Sequence, residues 1–468
     1  MRPLTALLAP DGSGDYPSLE AAVDAVPAES TLMLEPGTYR LAEPLDICKS
    51  LRLVGTGMDQ TEIVSDVGGY VVRFSGDGLF AAEDITFCYQ GRAVADVVAA
   101  RGGEVAFARC RFTGAVHVDG AGLRLQGSTT GVVRDCVAVK NNTIGIVVRD
   151  RAWPILEGNV CTDNGKVGIA YRDDAGGVAR QNECSGNLFG IAVAEQAQPT
   201  LEGNVCKDNK EAGIGYFDNA GGVARQNECL GNNQGGIAVA EQAQPALEGN
   251  LCKGNNKAGI AYVGNAGGVA RQNECSGNGF GVAVKEQAQP ALEGNVCTGN
   301  KLAGISYAGN ASGVARQNGC SGDSVGIYVG EQAQPELERN VCTDNELAGI
   351  VYAGNASGVA CRNKCSGNVG GISMADRVQP TLEGNVCTDN EKVGISYADN
   401  AGGVARHNEC SGNGNAGIGV TDQAQPTLEG NICTANDFGI IVAETADPNL
   451  VGNNCHDNVL ADIRDERE

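Results

Sequence analysis

Beyond residue 144 the chain alternates apolar with small or polar positions in bursts of four or five residues, as in Gly190-Ile191-Ala192-Val193, and Gly and Asn separate the bursts. A period of two predicts strands, since successive side chains of an extended segment point to opposite faces. The bursts are themselves periodic. From Cys161 a cysteine recurs every 22 or 23 residues, through Cys184, Cys206 and Cys229 to Cys433 and Cys455. Each stands in an Asn-x-Cys frame, such as Asn182-Glu183-Cys184, and a second Asn usually follows three residues later, as at Asn164, Asn187 and Asn209. Ile keeps the same beat at Ile146, Ile169, Ile191, Ile214, Ile237 and Ile260. Helical repeats need about thirty residues or more and a 3.6-residue apolar spacing. Three short strands with their turns fit the observed period, which predicts an all-β, single-stranded, right-handed parallel β-helix.

Coils alternate in kind, so the full repeat is about 45 residues. One kind carries Tyr and Ala (Tyr171 with Ala179, Tyr216 with Ala224), the other Val and Leu (Val193 with Leu201, Val239 with Leu247). Matching a large residue with a small one keeps core volume constant. That assigns Tyr171, Tyr216, Tyr262, Tyr307, Tyr352 and Tyr397 to the core. The next outward position alternates in charge, from Glu157, Arg180, Glu202 and Arg225 to Glu338, Arg362, Glu383, Arg406 and Glu429. Each Arg is expected between two carboxylates. Exposed pairs contribute only ~0–1 kcal/mol each, so the column is read as fixing register. Asn tolerates left-handed angles and can bond the neighbouring coil, which predicts Asn ladders at the turns. Strands about 4.8 Å apart bring successive cysteines within disulfide range. Side chains pointing in parallel into a core seldom meet the required torsion, however, so a ladder of buried free thiols is expected. No CxxC pair suggests zinc; Cys361 and Cys365 are the only close pair.

Composition narrows the core more than the function. Gly makes up 68 of 468 residues and aromatic residues 4 %, too few large side chains for wide globular cores, while 42 % apolar residues are too many for disorder. The 34 basic and 57 acidic residues give a net charge of −23, which disfavours nucleic acid and anionic membrane surfaces. No apolar run reaches the ~18 residues of a bilayer span. The odd count of nineteen cysteines, with an apolar stretch before Asp11 too short for a signal peptide, leads to the expectation of a cytoplasmic protein.

Three regions follow: irregular coils with a capping helix at 1–145, regular coils at 146–458, and a charged tail at 459–468. In the first, Asp11-Gly12-Ser13-Gly14-Asp15-Tyr16, Ser18-Leu19-Glu20-Ala21-Ala22-Val23 and Pro36-Gly37-Thr38-Tyr39 resemble the opening of pectin methylesterases. The likeness continues through Ala82-Glu83-Asp84-Ile85-Thr86-Phe87, Cys110-Arg111-Phe112 and Arg134-Asp135-Cys136. It implies a pectate-lyase-like solenoid whose N-terminal end is capped by a helix within residues 17–26, with Ala21, Ala22, Val23 and Ala25 on its apolar face. The esterase chemistry does not carry over. Val116 and His117 stand where that family has a Gln-Asp pair, and Thr143 stands at the place of its nucleophilic Asp. An esterase without nucleophile and oxyanion donors has no mechanism.

The later repeats resemble those of carbohydrate-binding proteins and sugar hydrolases, of copper-maturation periplasmic proteins, and of an F-box ubiquitin-ligase subunit, as in Gly190-Ile191-Ala192-Val193 with Pro199-Thr200-Leu201-Glu202-Gly203-Asn204. A site in a repeat protein is sought where the pattern breaks. Arg149, Asp150, Arg172, Asp173 and Asp174 are the candidate catalytic set, with Asp150, Asp173 and Glu195 stacked by register. Polysaccharide lyases of the resembled fold use such carboxylates for calcium and an Arg or Lys as base. Trp153 and Arg151 are candidate ligand contacts, the Trp by stacking on a sugar. The same column continues through Asp218, Glu241, Glu286, Glu331, Asp376, Asp422 and Glu444, which equally reads as an acidic edge. A second break, Cys361, Arg362, Lys364, Arg377 and His407, is diffuse. Small outward residues, among them Ala170, Ala192, Gly215, Ala238, Ala261 and Ala283, form a flat wall suited to docking or simply to short strands.

Two functions are therefore expected. The first is a non-catalytic β-helical scaffold, without metal or cofactor, that binds a protein or polysaccharide along its surface. The alternative is a polysaccharide lyase, hydrolase or epimerase with its site within residues 150–174, and only this reading involves calcium. Val459, Leu460 and Ile463 cover the last coil incompletely, which leads to the expectation of a homodimer through that coil.

Overall fold

Each coil gives one strand to each of three parallel sheets. In the coil of residues 200–216 these are Thr200–Glu202, Val205–Lys207 and Ala212–Tyr216. The architecture, taken from a computed structural model that describes residues 2–117 and 119–467, is a right-handed parallel β-helix. Met1 and Val118 of the first sequence region and Glu468 of the last lie outside the described residues. The chain divides into two units, residues 1–233 and 234–468.

In the first unit Tyr171, Val193 and Tyr216 stand in register in the third sheet, and Ala179, Leu201 and Ala224 in the first. In the second, Tyr262, Val284 and Tyr307 match Ala270, Leu292 and Ala315. All twelve are buried, so large residues face small ones as the 45-residue alternation requires. The hydroxyls of Tyr171, Tyr216, Tyr307, Tyr352 and Tyr397 lie in this core without a hydrogen-bond partner, and burial raises their pKa. An unpaired buried hydroxyl costs about 1–3 kcal/mol. Tyr307→Phe is therefore expected to leave the urea midpoint unchanged or raise it. A loss beyond about 1 kcal/mol would show that the hydroxyl is bonded after all.

The turns flanking the second sheet are closed by two Asn ladders. Asn159 donates from its backbone N and from Nδ2 to Asn182 Oδ1, both at 2.9 Å, and from Nδ2 to Val133 O. Asn164 repeats the pattern with Asn187 and Ala138 O. Between the ladders runs the cysteine column, with Cys161, Cys184 and Cys206 in register and outside any disulfide.

On the outer surface of the first sheet Arg180 meets Glu157 and Arg225 meets Glu202, both at 3.0 Å. Arg271 with Glu248, Arg316 with Glu293 and Arg406 with Glu383 do the same in the second unit. The expected column is corrected at one point. Cys361, not Arg362, stands in register between Glu338 and Glu383. Arg362 occupies the following turn with φ of 55°, because an Ala-Cys pair replaces the usual Ala-Arg and shifts the basic residue by one place.

The capping helix is Leu19–Ala25, opened by Ser18, whose Oγ accepts the Ala21 N–H at 3.2 Å. It buries Leu19, Ala22, Val23 and Val26, while Ala25 is exposed. The expected face is thus rotated: the 3.6-residue period groups 19, 22, 23 and 26. At the other end Ala461–Asp465 adds a strand beside Phe438–Val442, and Val459, Leu460 and Ile463 are exposed.

Candidate functional site

The structure brings four members of the acidic break together. Arg149 Nε lies 3.1 Å from Asp173 Oδ2 and 3.8 Å from Asp150 Oδ1. The Asp150 N–H donates to Asp173 Oδ2 at 3.0 Å, and the Asp173 N–H donates to Glu195 Oε2 at 2.7 Å. The Gly127 N–H donates to Asp150 Oδ2, and the Glu195 N–H to Asp218 Oδ2. Asp150, Asp173, Glu195 and Asp218 all have φ between 55° and 62°. These carboxylates therefore accept, coil by coil, turn amides in the left-handed conformation, which need an acceptor. The second unit repeats the device: Gly264, Gly309 and Gly354 donate to Glu286, Glu331 and Asp376, and Asp376 to Asp399.

Partial burial works against ionisation of Asp173, but the Asp150 N–H, Glu195 and the Arg149 guanidinium outweigh it and hold Asp173 below the usual carboxylate range. Burial and the neighbouring Asp173 push Glu195 up. Arg172 is half-buried and its charge opposes that rise, whereas Arg151 and Asp174 are exposed. A shallow hollow of about 400 Å³ lies beside Asp150, lined also by Arg101, Gln126 and Ser128. Trp153 belongs to the first sheet and is 59 % exposed. Its ring lies across Gly176 of the next coil, where a Cβ would come within 2.2 Å of Cζ3. The esterase-like positions are also adjacent, since the Thr143 hydroxyl donates to the carbonyl of His117.

The outer face of the third sheet carries what the sequence reading missed. Two outward rows, not one, line it. The overlooked row stands two residues before each core Ile or Val and includes Val167, Phe189, Ala258, Phe280, Ala303 and Phe438. All four phenylalanines beyond residue 145 sit on or beside this face. In the first unit Phe189 packs on a cluster of Ala121, Ile144, Val147, Val167 and Ala170 and meets Phe217 edge-on at 5.4 Å. Upstream the same face is charged instead, with Arg73 on Asp46 and Arg124 on Asp96, each at 2.7 Å.

In the second unit the face holds a groove of about 300 Å³. Ala238, Ala258, Ala261 and Ala283 form its floor, Phe280, Val263 and Leu302 its walls, and Lys257 and Lys285 its rim. Lys285 Nζ stands 5.9 Å from the centre of the Phe280 ring. The lining includes both lysines and no carboxylate, although acidic residues outnumber basic ones in the chain, 57 to 34. The sequence signal was a Phe opening the third strand at 189, 280 and 438.

Residues 96–251 and 325–464 match the family described as right handed beta helix region. Residues 226–359 match the family described as periplasmic copper-binding protein (NosD). The second match overturns the cytoplasmic expectation. That expectation rested on the odd thiol count and on the short apolar stretch before Asp11. The thiol count weighs little, because the column from Cys161 to Cys433 is buried and only Cys48, Cys88, Cys361 and Cys455 reach the surface. The donor set does not fit copper. Residues 226–359 contain no His, and among the described residues no group of three or more His, Cys, Asp or Glu is placed to hold a metal ion. No curated protein matches the chain. Among solved structures, the periplasmic alginate epimerase AlgG is similar at 15 % identity, covering 71 % of this chain and 82 % of that one, with a TM-score of 0.47. The A-module of the mannuronan C-5 epimerase AlgE4 of Azotobacter vinelandii is similar at 18 % identity over 72 % and 90 %, TM-score 0.44. Carrot pectin methylesterase is similar at 16 % over 52 % and 82 %, TM-score 0.33.

Proposed function

The chain belongs to the family of right-handed β-helix proteins, and we propose that it acts as a non-catalytic scaffold that binds an acidic glycan on the outer face of its third sheet. The observation that carries this reading is the groove of the second unit. Its alanine floor is flat enough for a sugar ring to approach, Phe280 offers an aromatic surface for stacking, and Lys257 and Lys285 supply positive charge in a strongly acidic chain. A protein partner would use the same apolar face, but the basic rim favours an anionic polymer. The enzymatic alternative needs free carboxylates within residues 150–174. Two of its three, Asp150 and Asp173, already accept backbone N–H groups.

The test is calorimetric titration with oligogalacturonate, a neutral cello-oligosaccharide and poly-glutamate. Oligogalacturonate is expected to bind, more weakly as salt rises. Phe280→Ala and Lys285→Gln are each expected to weaken it about tenfold, equivalent to ~1.4 kcal/mol. Binding of poly-glutamate alone would replace the glycan with a protein partner. Cleavage of uronate polymers in the presence of calcium, abolished by Asp173→Asn with Asp174→Asn, would establish the enzyme instead.

A further inference from the structure

In the second unit one Asn ladder runs through Asn278, Asn300, Asn345 and Asn368, and a single rung between Asn300 and Asn345 is a carboxyl, Asp323, which is fully buried. Its Oδ1 does what an Asn oxygen does, accepting the Asn300 N–H at 2.6 Å and Asn300 Nδ2 at 2.9 Å. Its Oδ2 stands where every other rung has an NH₂ group and has no partner. In the following rung Asn345 Nδ2 donates to Cys320 O and Asn368 Oδ1. By the same repeat, Asp323 Oδ2 faces Cys297 O and Asn345 Oδ1. Both are acceptors, and an ionised oxygen facing them is repelled. A protonated one donates and restores the ladder.

We propose that Asp323 is a proton-carrying rung, neutral in the intact ladder, and that loss of its proton loosens the surrounding turn and makes the stability of the second unit depend on pH. The titratable groups facing it are the thiols of Cys297 and Cys342, and neither supplies the positive charge that would stabilise a carboxylate. Burial, the larger cause, with these thiols, pushes Asp323 up to about 7 against the opposing bonds from Asn300. The hydrogen bond that follows it is longer than its equivalents two coils away: Val325 N–H to Leu302 O is 3.2 Å, against 2.7 Å for Phe280 to Lys257 and 2.9 Å for Gly370 to Leu347. Leu302 also walls the groove, so the loosened turn lies at the margin of the binding face.

The sign follows from linkage. The unfolded chain releases this proton near pH 4 and the folded chain near 7, so the folding equilibrium falls about tenfold per pH unit between those values and is flat above. The experiment is hydrogen exchange of the full chain from pH 4 to 8.5, corrected for intrinsic rates and read on peptides spanning 319–329, for the native protein and for Asp323→Asn. Native protection is expected to fall up to about a thousandfold across the window, while the variant stays flat and matches the native protein at pH 4. Parallel profiles for the two proteins, or a variant less protected than the native protein at pH 8, would overturn the proposal. The profile of the native protein alone tests the same point if the variant does not fold.

Discussion

Replacing Asn295 by Ala is expected to destabilise the second unit by about 1–3 kcal/mol, read as a shift of the urea midpoint. Asn295 is fully buried. Its Oδ1 accepts the Asn273 N–H at 3.1 Å and Asn273 Nδ2 at 2.9 Å, and its Nδ2 donates to Ala270 O and Asn318 Oδ1, both at 2.9 Å. Three of the groups it serves keep other partners. Asn273 Nδ2 still reaches Leu247 O, and Asn318 Oδ1 still accepts the Asn295 N–H. Ala270 O keeps the Glu293 N–H of the sheet ladder. The Asn273 N–H loses its partner, and an orphaned buried donor costs about 1–3 kcal/mol. Shifts below 1 kcal/mol would mean that water fills the vacated rung. Because each rung bonds only the coils beside it, exchange protection should fall locally first.

What the sequence made legible follows from one fact: identical coils put the same chemistry at the same place. The 22–23-residue spacing of Asn-x-Cys defined the coil, and the Tyr/Ala and Val/Leu pairs revealed which residues face one another in the core. The same regularity hid the site. Asp150 and Asp173 looked like candidates because carboxylates cluster at a break. Their actual role depends on the left-handed backbone of the turn, which a sequence of Asp and Glu does not announce. Trp153 drew attention as the only Trp, yet it rests on Gly176. Phe189 and Phe280 went unnoticed because Phe at the start of a strand reads as core until the three sheets are assembled and that row turns outward. Arg362 was misplaced by one residue, an error that a period alternating between 22 and 23 invites. Asp323 was visible as a change of letter, but only the positions of its neighbours' oxygens give the change a consequence.

The second large effect is expected at Gly281, in the strand Phe280–Val284. A Cβ at this position would lie 2.4 Å from Gly304 O, 2.7 Å from Cys297 Sγ and 2.9 Å from Cys297 Cβ. The thiol can turn aside, but the carbonyl cannot. It belongs to the strand Ala303–Tyr307 of the next coil, which pairs with residues 280–284, so moving it breaks the third sheet. Overpacking costs about 1–3 kcal/mol, and the upper end applies where backbone has to move. Gly281→Ala is therefore expected to lower the urea midpoint strongly and to disturb Phe280 at the groove, weakening oligogalacturonate in parallel. Gly319→Ala is the control, since nothing lies within 4 Å of its added Cβ, and it should change stability by no more than about 0.5 kcal/mol. Adding Cys297→Ala to Gly281→Ala removes the Sγ clash and leaves the Gly304 carbonyl, so it should recover only part of the loss. Full recovery in that double variant would place the obstruction in the thiol column rather than in the backbone of the neighbouring coil.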